Sequence, residues 1–135
     1  MNRKLFGALA IAILALVVNV NAQTKAKADV PFSFAAGNAT LAAGTYTVQE
    51  ISQHAIAIRN AETGKAVMEL TQSAERLGNQ SPRLVFHKYG DQYFLYEVWY
   101  GSNEGMEIPE TSREKEAKLA SAEGAAPQTV IVALR

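Results

Sequence analysis

Arg83 to Gly101, RLVFHKYGDQYFLYEVWYG, carries two apolar and aromatic runs on either side of Gly90-Asp91. Branched and aromatic side chains favour a pleated chain. A glycine at the first central position suits a two-residue type II′ hairpin turn. That turn pairs Tyr89 with Gln92, His87 with Phe94, Val85 with Tyr96 and Arg83 with Val98 on one face. The other face then carries Leu84, Phe86, Lys88, Tyr93, Leu95, Glu97 and Trp99. A slip of one residue would exchange the faces, yet in either register both are largely apolar. Such a hairpin belongs inside a sandwich or a barrel, not on an open wet sheet.

Working outward, Asp29 to Phe34 (DVPFSF) alternates Val30, Phe32 and Phe34 against Pro31 and Ser33, and Pro31 restricts it to a strand start or an edge. Ala35 to Gly44 is small and Gly-containing, which predicts a loop. Strands are predicted over 45–51, 54–59 and 65–71, with Asn60 to Gly64 as turn chemistry between the last two. Segments 74–82 and 102–110 are polar or Gly-punctuated and read as loops. Thr111-Ser-Arg-Glu114 fits a capping box that opens a short helix to about Glu123, with Gly124 as its stop and a thin stripe of Ala117, Leu119 and Ala120. Gln128 to Leu134 is a final strand. The expectation is an all-β antiparallel sandwich or barrel of about seven to eight strands, with one short C-terminal surface helix.

Of the 135 residues, 48% are apolar, none is cysteine, and the formal charge is zero. Those values fit one compact domain and exclude disulfide scaffolds, thiolate chemistry and a basic nucleic-acid binder. The first 22 residues read as a leader. Arg3 and Lys4 form a positive start, Leu5 to Val18 is an apolar run, and Val20-Asn21-Ala22 offers small residues for cleavage before Gln23. A fourteen-residue helix spans about 21 Å, short of the ~30 Å hydrocarbon core. A signal peptide over 1–22, a flexible leader over 23–28 and a single β domain over 29–135 are therefore expected. The expected product is periplasmic or extracellular and does not span the membrane. Without Arg3 and Lys4 the chain has 11 basic and 13 acidic residues, a field too weak for steering.

Three stretches carry a resemblance: Val30-Pro-Phe-Ser-Phe34; Gly37 with Leu41-Ala-Ala-Gly44-Thr-Tyr46-Thr-Val48; and Leu84 to Leu95 with Val98-Trp99. The chain resembles a family of small exported bacterial β-rich proteins, seen mostly in acidobacteria and without an assigned function. The likeness covers most of 29–120 and departs at Ala42, where the family often has Pro. It implies export and a β-rich fold, and it transfers no functional residues.

Chemistry is thin. His54 and His87 have no carboxylate or second histidine at ligand spacing, so no metal, cofactor or catalytic histidine is expected. Seven of the ten aromatics beyond residue 22 fall within 86–100. Most are explained by a core and by cross-strand pairs. Tyr tolerates water, however, so His87, Tyr96 and Tyr100 are the candidate binding strip, with Leu84, Phe86, Leu95 and Trp99 packing inward. The ligand class is a carbohydrate or another protein. The alternative is a carbohydrate-active hydrolase using Glu97 with a second acid from the cluster Glu104, Glu107, Glu110, Glu114 and Glu116, since paired carboxylates can cleave glycosides. Glu97 also reads simply as a partner for a Lys or Arg.

Overall fold

A computed structural model describes residues 25–121 and 126–135. The expected signal peptide and Gly124 lie outside the described residues, but the helix ends at Ala120 with Ser121 already in extended backbone, short of the expected Glu123. Two antiparallel sheets face each other and do not close into a barrel. The four-stranded sheet has the order β1 (Lys25–Val30), β4 (Gly44–Ser52), β5 (Ala55–Asn60), β6 (Ala66–Leu70). The seven-stranded sheet runs β11 (Gln128–Ala133), β8 (Arg83–Tyr89), β9 (Gln92–Trp99), β10 (Glu104–Glu107), β7 (Gln72–Glu75). The small hairpin β2 (Phe34–Ala36) and β3 (Ala39–Leu41) is attached to β9 by a parallel contact, Ala35 to Phe94.

The core lies where alternate residues of both sheets meet. Ala28, Val30, Tyr46, Val48, Ile56 and Ile58 come from one sheet; Phe34, Leu84, Phe86, Leu95, Val98 and Met106 come from the other. Phe34 packs edge-on to both Tyr46 and Phe86, the geometry that aromatic quadrupoles favour. Pro31 ends β1 after Val30, and Phe32 in the following bend stacks on Tyr93 at 3.8 Å.

Three departures from the sequence reading matter. Lys25–Ala28, expected as flexible leader, are strand, because they pair with Tyr46–Gln49 and exchange backbone hydrogen bonds between Lys27 and Arg135. The segments that read as loops, 35–44, 74–82 and 102–110, contain the short strands β2 and β3, the end of β7, and β10, which borrow their order from neighbours rather than from their own composition. Finally, the main hairpin follows the expected register from Tyr89–Gln92 through His87–Phe94 and then breaks. Tyr96 is an extra residue, so Val85 faces Glu97, Leu84 faces Val98 and Arg83 faces Trp99. This one-residue bulge inverts the alternation beyond Tyr96. The two-residue turn falls at Gly90-Asp91 as expected, with Gly90 at φ 59, the positive φ that a primed turn needs there.

Helix α1 (Ser112–Ala120) is capped by Thr111, whose side chain accepts from the Glu114 N–H at 3.2 Å. It lies on the outer side of the seven-stranded sheet, where Ala117 joins Ala35, Tyr89 and Phe94. The stripe differs from the expected one: Glu114 and Ala117 are buried and Leu119 is 84% exposed. Among the described residues, no helix is long and apolar enough to cross a membrane.

Candidate functional site

The bulge decides where the candidate residues go. His87 and Tyr96 come together on the outer face, ring centroids 3.9 Å apart and nearly parallel. Tyr100 is turned to the opposite side, against the core between the sheets. The expected three-residue strip is thus split. Trp99 is fully buried as expected, but on the outer face rather than beside Leu84, Phe86 and Leu95.

On the outer face the groups are tied to one another. The Arg76 guanidinium donates from one nitrogen to both oxygens of Glu97, at 2.8 and 2.9 Å, and lies 5.6 Å over the Trp99 ring. Glu97 is only 3% exposed, so this cation supplies the charge that a buried carboxylate needs. Glu107 stands directly across the ladder from Glu97. His87 Nδ1 is 3.8 Å from Glu114 Oε1, within ion-pair range but beyond a hydrogen bond. Tyr96 and Tyr89 are both held above the ordinary phenol pKa, first by burial and then by nearby glutamates: Glu107 and Glu97 for Tyr96, Glu114 and Glu110 for Tyr89. The face is a packed polar and aromatic layer in which Arg76 satisfies Glu97, while the buried His87 Nδ1 and Trp99 Nε1 have no hydrogen-bond partner among the described residues.

Tyr100 instead lines a cleft of about 560 Å³ at one end of the sandwich. One wall is the end of β4 and its turn, Glu50 and Gln53; the other is Ser73, Glu75, Ser102 and Glu104. The Tyr100 hydroxyl is buried without a hydrogen-bond partner among the described residues. Burial, with Glu50 adding to it, pushes its pKa far above the ordinary phenol range. The lining offers acceptors and one aromatic ring, and it includes no Lys, Arg or His.

The cleft exists because the chain changes sheets. β6 ends at Leu70, Thr71 is buried and donates its N–H to His54 O at 2.8 Å, and β7 then pairs with β10 in the other sheet. Sequence reasoning flagged Tyr100 and Glu104 but not Glu50, Gln53, Ser73 or Glu75. Only the weak strand signal through 65–71, followed by a polar run, hinted at the crossing. His54 sits in the exposed β4–β5 turn, its N–H bonded to Ser52 Oγ. Among the described residues, no three His, Cys, Asp or Glu side chains are grouped to hold a metal ion.

No known protein family, curated protein or solved structure matches the chain.

Proposed function

We propose that this chain is a non-catalytic, exported binding module of the cell envelope or secretome, and that its ligand sits in the cleft beside Tyr100. The observation that carries the reading is Tyr100, which lines an acceptor-rich cleft and whose hydroxyl is buried without a partner among the described residues. A buried polar group without a partner is costly, and a ligand hydroxyl or ammonium would satisfy it. Glu50, Glu75 and Glu104 around the same cleft favour a ligand rich in donors, which selects a neutral or amino-bearing carbohydrate over a phosphate or other anion. Export rests on the leader-like residues 1–22, and membership of the exported bacterial family rests on the quoted stretches within 29–120.

The alternative, a glycoside hydrolase, draws on Glu107 standing opposite Glu97. Directly opposed residues have Cβ atoms about 5 Å apart, compatible with a carboxylate pair. Against it, Arg76 occupies both Glu97 oxygens and would have to leave before the acid could work.

A glycan array that includes amino sugars, followed by calorimetric titration of the best binder, tests the reading. Saturable binding weakened by Tyr100→Phe and by Glu75→Gln, with folding intact, is the expected result. Glycan turnover that disappears in Glu97→Gln would establish the hydrolase instead. Binding indifferent to both cleft variants would remove the ligand from this cleft.

A further inference from the structure

Among the described residues, β6 is the open edge of the four-stranded sheet: its only strand partner is β5. The other edge of that sheet, β1, is sealed by two backbone hydrogen bonds to Arg135 and carries Lys25, Lys27 and Asp29 along its outer side. The outward face of β6 has no such protection. Proteins usually blunt an edge with charge, Pro or a bulge; here the outward residues are Ala66, Met68 (68% exposed) and Leu70 (78% exposed).

The hydrogen-bond parity of β6 is fixed. Asn60 N–H donates to Lys65 O and Thr71 N–H to His54 O, both across the β5–β6 ladder. In an antiparallel pair, bonded and non-bonded residues alternate. The odd residues 65, 67 and 69 therefore bond to β5, and the backbone groups of Ala66, Met68 and Leu70 point out of the sheet, unpaired. Lys65 and Glu69 lie on one face, two positions either side of Val67, and neither has an ion-pair partner among the described residues. Glu69 is half-buried over Gly37, whose added Cβ would fall onto its carboxyl oxygens. That position holds its pKa above the ordinary carboxyl value through desolvation. A cation is what this carboxylate lacks.

We propose that the β6 edge pairs antiparallel with β6 of a second copy of this chain, with Val67 on the two-fold axis. In that register Ala66 and the partner's Met68 exchange two hydrogen bonds, as do Met68 and the partner's Ala66. Lys65 meets the partner's Glu69 twice by symmetry, in non-hydrogen-bonded positions where side chains approach most closely. Registers centred on neighbouring residues satisfy the backbone equally well but lose both charge pairs, so electrostatics selects this one. The contact is isologous and joins the two four-stranded sheets into one.

Charge swapping tests it on the purified protein by sedimentation velocity across a concentration series, with circular dichroism as the check on folding. The wild type should be a reversible dimer. Lys65→Glu and Glu69→Lys, each placing like charges together twice, should each weaken it by about tenfold or more. The double swap Lys65→Glu/Glu69→Lys should restore it. A monomeric wild type throughout the series would overturn the proposal. So would a dimer that both single swaps leave intact, or a double swap that remains as weak as the singles.

Discussion

Gly105→Ala isolates the packing of the only tryptophan. Gly105 lies opposite Trp99 across the β9–β10 ladder. An alanine Cβ there would sit 2.6 Å from Trp99 Cε3, 2.7 Å from Cδ2 and 2.9 Å from Cζ3. The ring is rigid and must retreat at least 0.8 Å to reach the 3.4 Å of ordinary contact. It has nowhere to go, being 0% exposed with Arg76 above it. Gly105 is not among the positive-φ glycines, so the backbone itself would accept alanine. Overpacking of this kind costs about 1–3 kcal/mol, offset by about 0.4–1 kcal/mol from the less flexible unfolded chain. The net loss, at most about 2.6 kcal/mol and about 1.3 kcal/mol at mid-range, lowers Tm by about 5 °C at ~4 °C per kcal/mol. Calorimetry reads the shift, and emission from the single Trp should move toward the red as the ring is displaced. Gly64→Ala is the control: its φ of 73 is strained but nothing lies within 4 Å, so emission should stay unchanged. A Gly105→Ala protein with wild-type Tm and wild-type emission would refute the packing described for Trp99.

Arg76→Ala strands the buried Glu97 carboxylate. Breaking a fully buried pair costs about 3–5 kcal/mol, but the Arg76 side chain is half exposed and water can partly replace it, so about 1–3 kcal/mol is expected. A double-mutant cycle with Glu97→Gln in urea should return a clear coupling, and additive losses would contradict the ion pair. Tyr100→Phe should fold as well as the wild type at neutral pH, because it deletes a buried hydroxyl that has no partner. The raised Tyr100 pKa means that the folded state favours the protonated phenol. Its contribution is complete below the ordinary value of 10.0 and lost as pH climbs toward the raised value. Tyr100→Phe should therefore resist alkaline unfolding better than the wild type; equal alkaline midpoints would count against a buried Tyr100.

The hairpin, the glycine at its turn and the all-β antiparallel class were legible because they depend on local signals: period-2 alternation, branched and aromatic content, and a glycine at the turn. The helix was legible for the same reason, since Thr111 and Glu114 announce it three residues apart. The choice of an open sandwich over a barrel was not, because it depends on non-local pairing. Nor was the bulge at Tyr96. No residue type marks it; it is set by what each face must bury, and it moved four residues at once, splitting Tyr100 from His87 and putting Trp99 and Val98 on exchanged faces. The acidic stretch before the helix reads as a loop, yet Met106 and Ile108 are core residues there, held by the β9–β10 ladder and by the Ile108 N–H donating to Tyr96 O, which their Gly-punctuated surroundings do not advertise. Similarly, Gln72–Glu75 is polar throughout and becomes a strand only because β10 is beside it.

The two proposed surfaces are built by one continuous stretch, and its geometry keeps their tests independent. Ala66–Leu70 supplies the open edge of one sheet, and Gln72–Glu75 supplies a wall of the cleft after the crossing at Thr71. Lys65 and Glu69 lie before that crossing and Ser73 and Glu75 after it, and neither of the first two lines the cleft. A charge swap at the edge therefore leaves the cleft's acceptors and Tyr100 in place. If the swapped monomer still titrates a glycan with wild-type affinity, binding belongs to the single chain and the dimer adds only avidity. If affinity falls with dissociation while Tyr100→Phe still weakens what remains, the cleft is the seat and pairing through β6 orders its β7 wall through Thr71.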